Sequence, residues 1–289
     1  METQNDVLRN PDSFMQVGDL VASTFLLSTV ALFGVAVFIL VQFRLVPARW
    51  KLPVLISAFV PLAAGAFSLF RTNYWITTLT NPVEFRFFDW FFTVPLMAIV
   101  FYYLLKPIGG RRWMFFALAA SALWMLGFGY LGESLQPERS SLWGSLGSIG
   151  FAAIVGVIYG AGYPKIFQPN VASAHRKGYL LLSIILPLGW CVYPIGYMTV
   201  PGNVWEGVLS VNTVAIMYNL ADIFNKGGLA LVVAYIASRS NYDANPANFG
   251  PADKQADKQE VRELPPVQPP KTRDEPLNGF HQPIPDTSN

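Results

Sequence analysis

Hydrophobic positions gather into seven long runs separated by short polar breaks, near residues 17–43, 52–72, 85–105, 112–131, 142–163, 178–200 and 206–237. A helix rising 1.5 Å per residue needs about 20 residues to cross the hydrocarbon core of a bilayer. Each run meets that length, so the pattern predicts an all-α membrane protein, a seven-transmembrane-helix bundle. The second run is the weakest, because Pro53, Pro61 and several Gly and Ser residues interrupt it, yet its length fits a kinked span. No internal repeat of fixed period accompanies the runs.

The polar breaks set an orientation. Arg44, Arg49 and Lys51 follow the first run, Lys106, Arg111 and Arg112 the third, and Lys165, Arg176 and Lys177 the fifth, while Arg239 closes the seventh. The alternate breaks hold Arg71 and Arg139 and little else that is positive. Positive charge collects on the cytoplasmic side, which predicts an extracellular N-terminus and a cytoplasmic C-terminus. Three regions follow: an extracellular N-terminal segment over 1–16, a seven-helix domain over 17–239, and a tail over 240–289. The tail is rich in Pro and charged residues and poor in large aliphatics, so it reads as a disordered cytoplasmic segment. Its PPVQPP run could dock a partner as a polyproline ligand, although a passive tail is the plainer reading.

Composition agrees with this picture. The chain has 289 residues, of which 53% are hydrophobic and 13% charged, against roughly 25% charged in soluble domains. A net charge of +2 argues against a nucleic-acid partner, and the single cysteine, Cys191, rules out an intramolecular disulfide. No short apolar stretch ending in small residues precedes the first run, so no cleaved signal peptide is expected. The expected setting is the cell (inner) membrane, crossed several times and surrounded by lipid.

The chemistry lies in the charges inside the runs, each costing roughly 2.5–3.5 kcal/mol at a helix centre. The seventh run contains Asp222 and Lys226, four apart and so on one helix face. The third contains Arg86 and Asp89, with Thr93 four residues further on. Counting helical rise from the cytoplasmic ends puts Lys226 at roughly 16 Å, Asp222 at roughly 22 Å and Asp89 at roughly 24 Å. Two carboxylates therefore share a level slightly outside one lysine, and Arg86 lies further out. A salt bridge that merely ties two helices is the alternative, but buried pairs stabilise poorly and intramembrane charges are usually functional.

The strings around these residues have a family likeness. FRFFDWFFTVPL at 85–96, FGYLGE at 128–133, GWCVYP at 189–194 and YNLADIFNK at 218–226 occur in this order. Together they resemble the microbial (type 1) rhodopsins, and the proteorhodopsins in particular. The resemblance implies all-trans retinal held as a Schiff base on Lys226, Asp89 as counterion and proton acceptor, and Asp222 as second counterion. It further implies Thr93 as a partner of Asp89, Arg86 as the link to the extracellular exit, and Trp90, Met97, Trp190, Tyr193 and Pro194 as retinal-pocket residues. Tyr218, on the stripe of Asp222 and Lys226, is expected to bond within the counterion cluster. The activity implied is outward proton transport driven by light, with no enzymatic reaction; relatives form pentamers or hexamers, so a homo-oligomer is expected. A photosensory rhodopsin with a slow photocycle, signalling to a partner, is the alternative.

Several positions depart from the family pattern. Eleven residues after Asp89, where many pumps carry a carboxylate that reprotonates the Schiff base, stands Val100. No other Asp or Glu falls in the cytoplasmic half of any run. The second run has no histidine to sit beside Asp89; Phe67 takes that place, and His175 and His281 are expected outside the membrane. In some relatives a glycine in the fifth helix opens a window for a carotenoid antenna; Gly144 or Gly147 could match it, with close helix packing the stronger reading. Glu206 is a candidate for proton release or a solvated loop charge. Chloride and sodium pumping are disfavoured by the carboxylate at 89 and the lack of a paired asparagine. Met97 falls where relatives tune colour, and an apolar residue there predicts green absorption; purified pigment made with all-trans retinal should peak in the green, and a blue peak would refute the assignment.

Overall fold

The computed structural model describes residues 15, 18–199 and 201–243. The expectations for the rest of 1–16 and for the tail from 244 onward lie outside the described residues. Seven helices are long and apolar enough to span a membrane: α1 Leu20–Leu45, α2 Ala48–Thr78, α3 Val83–Ile108, α4 Arg112–Leu135, α5 Pro137–Ile166, α6 Ser173–Tyr197 and α7 Val211–Arg239. No strand occurs among the described residues. Successive helices pack side by side, α1 on α2, α2 on α3, α3 on α4 and α4 on α5, and α7 closes the bundle against α1, α2 and α6.

The side chains are sorted inversely to those of a water-soluble bundle. Leu27, Val30, Phe38, Phe116, Ile149 and Phe224 are exposed on the outside, where lipid tails solvate them at no cost. Arg71, Arg86, Asp89, Asp222 and Lys226 are all buried inside, because a charge facing hydrocarbon would have neither water nor partner. The helices α3 and α7, which carry most of these charges, are also the most enclosed.

The largest difference from the sequence reading is in α2, which runs six residues past 72 to Thr78. The added residues, NYWITT, are too polar to register as hydrophobic, yet they stay helical because tertiary contacts hold them. Asp19 caps α1, accepting a hydrogen bond from the Ala22 amide at 2.9 Å, and its second oxygen accepts one from Trp75 Nε1 at 2.9 Å. That side chain ties the start of α1 to the last turn of α2. The helix then stops at Leu79, which adopts a left-handed conformation (φ 53°) and donates its amide to the Trp75 carbonyl. Arg71 is consequently an intramembrane residue and not a loop charge.

Two smaller corrections concern helix ends. His175 belongs to the first turn of α6 and is buried, its Nε2 2.7 Å from the Leu104 carbonyl and its ring edge-on to Trp50. Glu206 does not belong to α7; it lies exposed in the loop before it and accepts a hydrogen bond from the Gly202 amide.

Glycines on α6 let it approach α7 closely. A Cβ at Gly189 would collide with the Asn225 side chain, and one at Gly196 would lie 2.5 Å from the Tyr218 hydroxyl. Such close approach is how helices gain contact in a lipid solvent that offers little hydrophobic drive. Gly196→Val should therefore lower stability by about 1–3 kcal/mol, the usual cost of overpacking. Gly34→Ala, where a Cβ meets nothing within 4 Å, should be close to neutral; thermal unfolding of both variants in detergent checks the difference.

Candidate functional site

The centre of the bundle holds a buried cluster of opposed charges. Lys226 Nζ lies 2.7 Å from Asp89 Oδ2 and 3.1 Å from Asp222 Oδ2, and the lysine is 1% exposed. The i to i+4 spacing read from the sequence puts Asp222 and Lys226 on one face of α7, and α3 brings Asp89 to it. Helix α7 changes over Ile223–Gly227 to a π-helical turn containing the lysine, a local widening often found where a helix carries a functional side chain.

Each carboxylate has further partners. Thr93, one turn along α3, donates its hydroxyl to the Asp89 backbone carbonyl at 2.8 Å and approaches Asp89 Oδ1 at 3.2 Å. Tyr193 on α6 donates its hydroxyl to Asp222 Oδ1 at 2.7 Å, and Asn225 Nδ2 stands 3.3 Å from the same hydroxyl. Tyr218, expected to bond within the counterion cluster, donates to neither carboxylate. The Tyr218 hydroxyl donates to the Tyr193 carbonyl at 2.8 Å, while its ring lies under the Arg86 guanidinium, 4.6 Å from centroid to Cζ. Arg86 is buried, and no protein group hydrogen-bonds its two terminal nitrogens. Cation–π contact with Tyr218 therefore stands in for an ion pair.

A fourth group in the cluster was not foreseen. Arg71 on α2 donates from Nη1 to Asp89 Oδ2 at 2.8 Å, and Nη2 lies 3.4 Å from Asp222 Oδ2. The signal was present in the chain. Arg71 is seven residues before the end of α2 and Asp89 six after the start of α3, so helical rise places both roughly 10 Å in from the same short turn. Reading 52–72 as the whole span concealed this, since it left Arg71 at the membrane edge. Phe67, one turn deeper on α2, stacks on Phe92 instead.

A cavity opens beside the cluster. It is lined by Lys226, by Trp90, Val94 and Met97 of α3, by Trp190, Tyr193 and Pro194 of α6, and by Tyr218. It continues past Met125 and Gly129 of α4 to Gly144, Gly147 and Ser148 of α5, and Glu133 also faces it. Trp90 packs edge-on to Phe87, Tyr193 and Tyr218, with centroids 5.3, 5.0 and 5.6 Å away. A slender apolar molecule joined to Lys226 Nζ would lie between Trp90 and Trp190 and reach α5. The residues present therefore fit a covalently tethered hydrophobic chromophore. Every pocket and counterion residue read from the sequence adjoins this cavity or the charge cluster except Arg86, which joins them through Tyr218. Val100 is fully buried on α3 toward the other end of the bundle.

Comparison with known proteins places the chain in a family. Residues 19–240 match the family model described as bacteriorhodopsin-like protein. The chain is 33% identical to a green-light absorbing proteorhodopsin of Gamma-proteobacterium EBAC31A08, over 78% of this chain and 92% of that one. It is 30% identical to a blue-light absorbing proteorhodopsin of Gamma-proteobacterium Hot 75m4, over 80% and 91%. Among solved structures, a blue light-absorbing proteorhodopsin from Med12 superposes with a TM-score of 0.65 at 27% identity, covering 77% of this chain and all of that one. A thermophilic rhodopsin superposes with a TM-score of 0.70 at 25% identity, covering 79% and 97%. The chain belongs to the bacteriorhodopsin-like family, as a proteorhodopsin-like microbial rhodopsin that crosses the cell membrane seven times.

Proposed function

We propose that this protein is a light-driven pump that moves protons out of the cell, with retinal bound through Lys226. The observation that carries the reading is the fully enclosed Lys226 Nζ at 2.7 Å from Asp89 Oδ2: a proton donor and an acceptor in hydrogen-bond contact, shielded from water. Retinal attached at Nζ supplies light absorption and the light-driven change of shape that releases the proton from that nitrogen. Asp89 accepts it. Thr93 fixes the receiving carboxylate, and Asp222, held by Tyr193, stays as the remaining negative charge. Arg86, with its terminal nitrogens free of protein partners, is placed to respond when charge leaves Asp89.

Direction follows from the loops. With Arg71 inside the bundle, Arg139 is the only Lys or Arg left on the N-terminal side of the membrane among the described residues. The opposite side carries Arg44, Arg49, Lys51, Lys106, Arg111, Arg112 and others. That asymmetry favours an outer N-terminus, and with it an acceptor on the extracellular side of the lysine.

Reprotonation has no carboxylate intermediary. Val100 is buried and apolar, and every Asp and Glu in the described spans lies in the half that contains Asp89 and Asp222. The proton returning to Lys226 is therefore drawn from cytoplasmic water. A photosensory role would tolerate the same valine, and acidification of the medium by illuminated cells, abolished by a protonophore, separates the pump from the sensor. Gly144 packs on Tyr197 and Gly147 on the Met125 carbonyl; helix packing accounts for both, so the proposal carries retinal without a carotenoid. A homo-oligomer is proposed on the resemblance alone.

Asp89→Asn should cut light-driven proton release by about 10²-fold or more, the typical effect of removing a proton-transfer group, while Lys226→Ala should leave the protein colourless; whole-cell pH recordings and absorption spectra check both. Decay of the deprotonated, blue-shifted state should slow as the bulk proton concentration falls. Flash photolysis between about pH 6 and 9, the range in which no buried carboxylate donor would mask the dependence, tests it, and a flat rate would exclude supply from water.

A further inference from the structure

Arg71 changes the charge balance at the centre of the bundle. Its guanidinium and Lys226 Nζ contact the same two oxygens: Asp89 Oδ2 at 2.8 and 2.7 Å, and Asp222 Oδ2 at 3.4 and 3.1 Å. Positive and negative groups therefore alternate around a closed ring of four, two of each sign. All four residues are at least nine-tenths buried, and an uncompensated charge in such a place is strongly destabilising. Arg86 is buried nearby but pairs with neither aspartate, so two carboxylates in contact with the lysine alone would carry an excess negative charge; with Arg71 the ring of contacting groups is neutral.

The two cations differ in chemistry. Guanidinium does not lose its proton in proteins, whereas the nitrogen of Lys226 gives one up in the proposed cycle. When that proton passes to Asp89, Lys226 and Asp89 both become neutral, and Arg71 and Asp222 remain as an ion pair. The ring is thus neutral before the transfer and after it. The planar fork of the guanidinium also suits the task, because two of its nitrogens reach two different carboxylates at once.

We propose that Arg71 is a permanent internal counter-charge of the chromophore site, a positioning residue that holds Asp89 and Asp222 together and offsets part of their pull on the Lys226 nitrogen. The inference rests on the attachment of retinal at Lys226, but not on proton pumping. It has a consequence for colour. A negative field at the nitrogen stabilises the ground state, in which positive charge sits there, more than the excited state, in which charge spreads away. Arg71 weakens that field, so it shifts absorption to longer wavelength.

The test is the dark absorption spectrum of full-length pigment, recorded at a series of rising pH values until the band no longer moves. Arg71→Gln should absorb to the blue of wild type, and Arg71→Lys, which keeps the charge, should stay near it. An unchanged or red-shifted band in Arg71→Gln, or equal shifts in both variants, would overturn the proposal. Should Arg71→Gln fail to form pigment, infrared difference spectra decide. Wild-type protein labelled with 15N in its arginine guanidinium groups should show a light-induced, isotope-sensitive band that Arg71→Lys, with Arg86 intact, has lost. If wild type lacks that band, or Arg71→Lys retains it, the proposal fails. A colourless wild type would instead defeat the retinal assignment, and a coloured wild type that does not acidify the medium would defeat the pump while leaving Arg71 to be judged by its spectrum.

Discussion

An amine held charged in the middle of a membrane is the constraint on which the rest of this structure depends. Such a group needs opposite charge within hydrogen-bond distance, and Lys226 has it from Asp89 on α3 and Asp222 on its own helix. The requirement is for depth as much as for identity. A helix sliding by one turn would move a carboxylate by about 5 Å and break the contact. Several features of the fold fix depth: Asp19 joins the start of α1 to the last turn of α2 through Trp75, Leu79 ends α2 sharply, and a short turn carries the chain into α3 at Val83. Between them they bring Arg71 and Asp89 to one level.

Among the described spans, the carboxylates and the buried arginines lie in one half of the bundle. Around the lysine and toward the Glu133 end of the bundle lie two arginines, two aspartates, Glu133 and the hydroxyls of Thr93 and Tyr193. Beyond it, Val100, Leu104, Leu229 and Val233 are fully buried and apolar. Ionic contacts strengthen in low dielectric, and a proton has no side-chain carboxylate to rest on in the half that holds Val100. In the proposed cycle a proton released from Lys226 meets its acceptors on one side only. The asymmetry arises from where charge sits along α2, α3 and α7, and needs no moving gate to give the first transfer a direction.

Side-chain roles at the centre are distributed across helices in a way that pairs of residues alone do not suggest. Tyr193 serves Asp222 through its hydroxyl and accepts Tyr218 through its backbone carbonyl. Tyr218 in turn supports Arg86 through its ring. One string of contacts thus connects α6, α7 and α3 on the Asp222 side of the lysine. Gly189 and Gly196 make it possible, because without them α6 could not come close enough to α7 for Tyr193 to reach Asp222.

The seven spans, the lysine, its two carboxylates and the aromatic lining of the cavity were legible in the chain, because lipid imposes long apolar runs and makes every charge within them conspicuous. Those signals are local: a run of hydrophobic residues, an i to i+4 pair, a short string of familiar order. Arg71, the burial of His175 and the partner of Tyr218 were not legible in the same way. A polar helical turn at a membrane edge looks like a loop until Trp75 and Asp19 are seen to hold it, and a hydroxyl on the expected stripe of α7 is aimed by the helix packed against it. Sequence alone determined which ionisable residues fall within long apolar runs; only the tertiary structure decided which of them meet, because depth and rotation of one helix against another are set by packing between segments far apart in the chain.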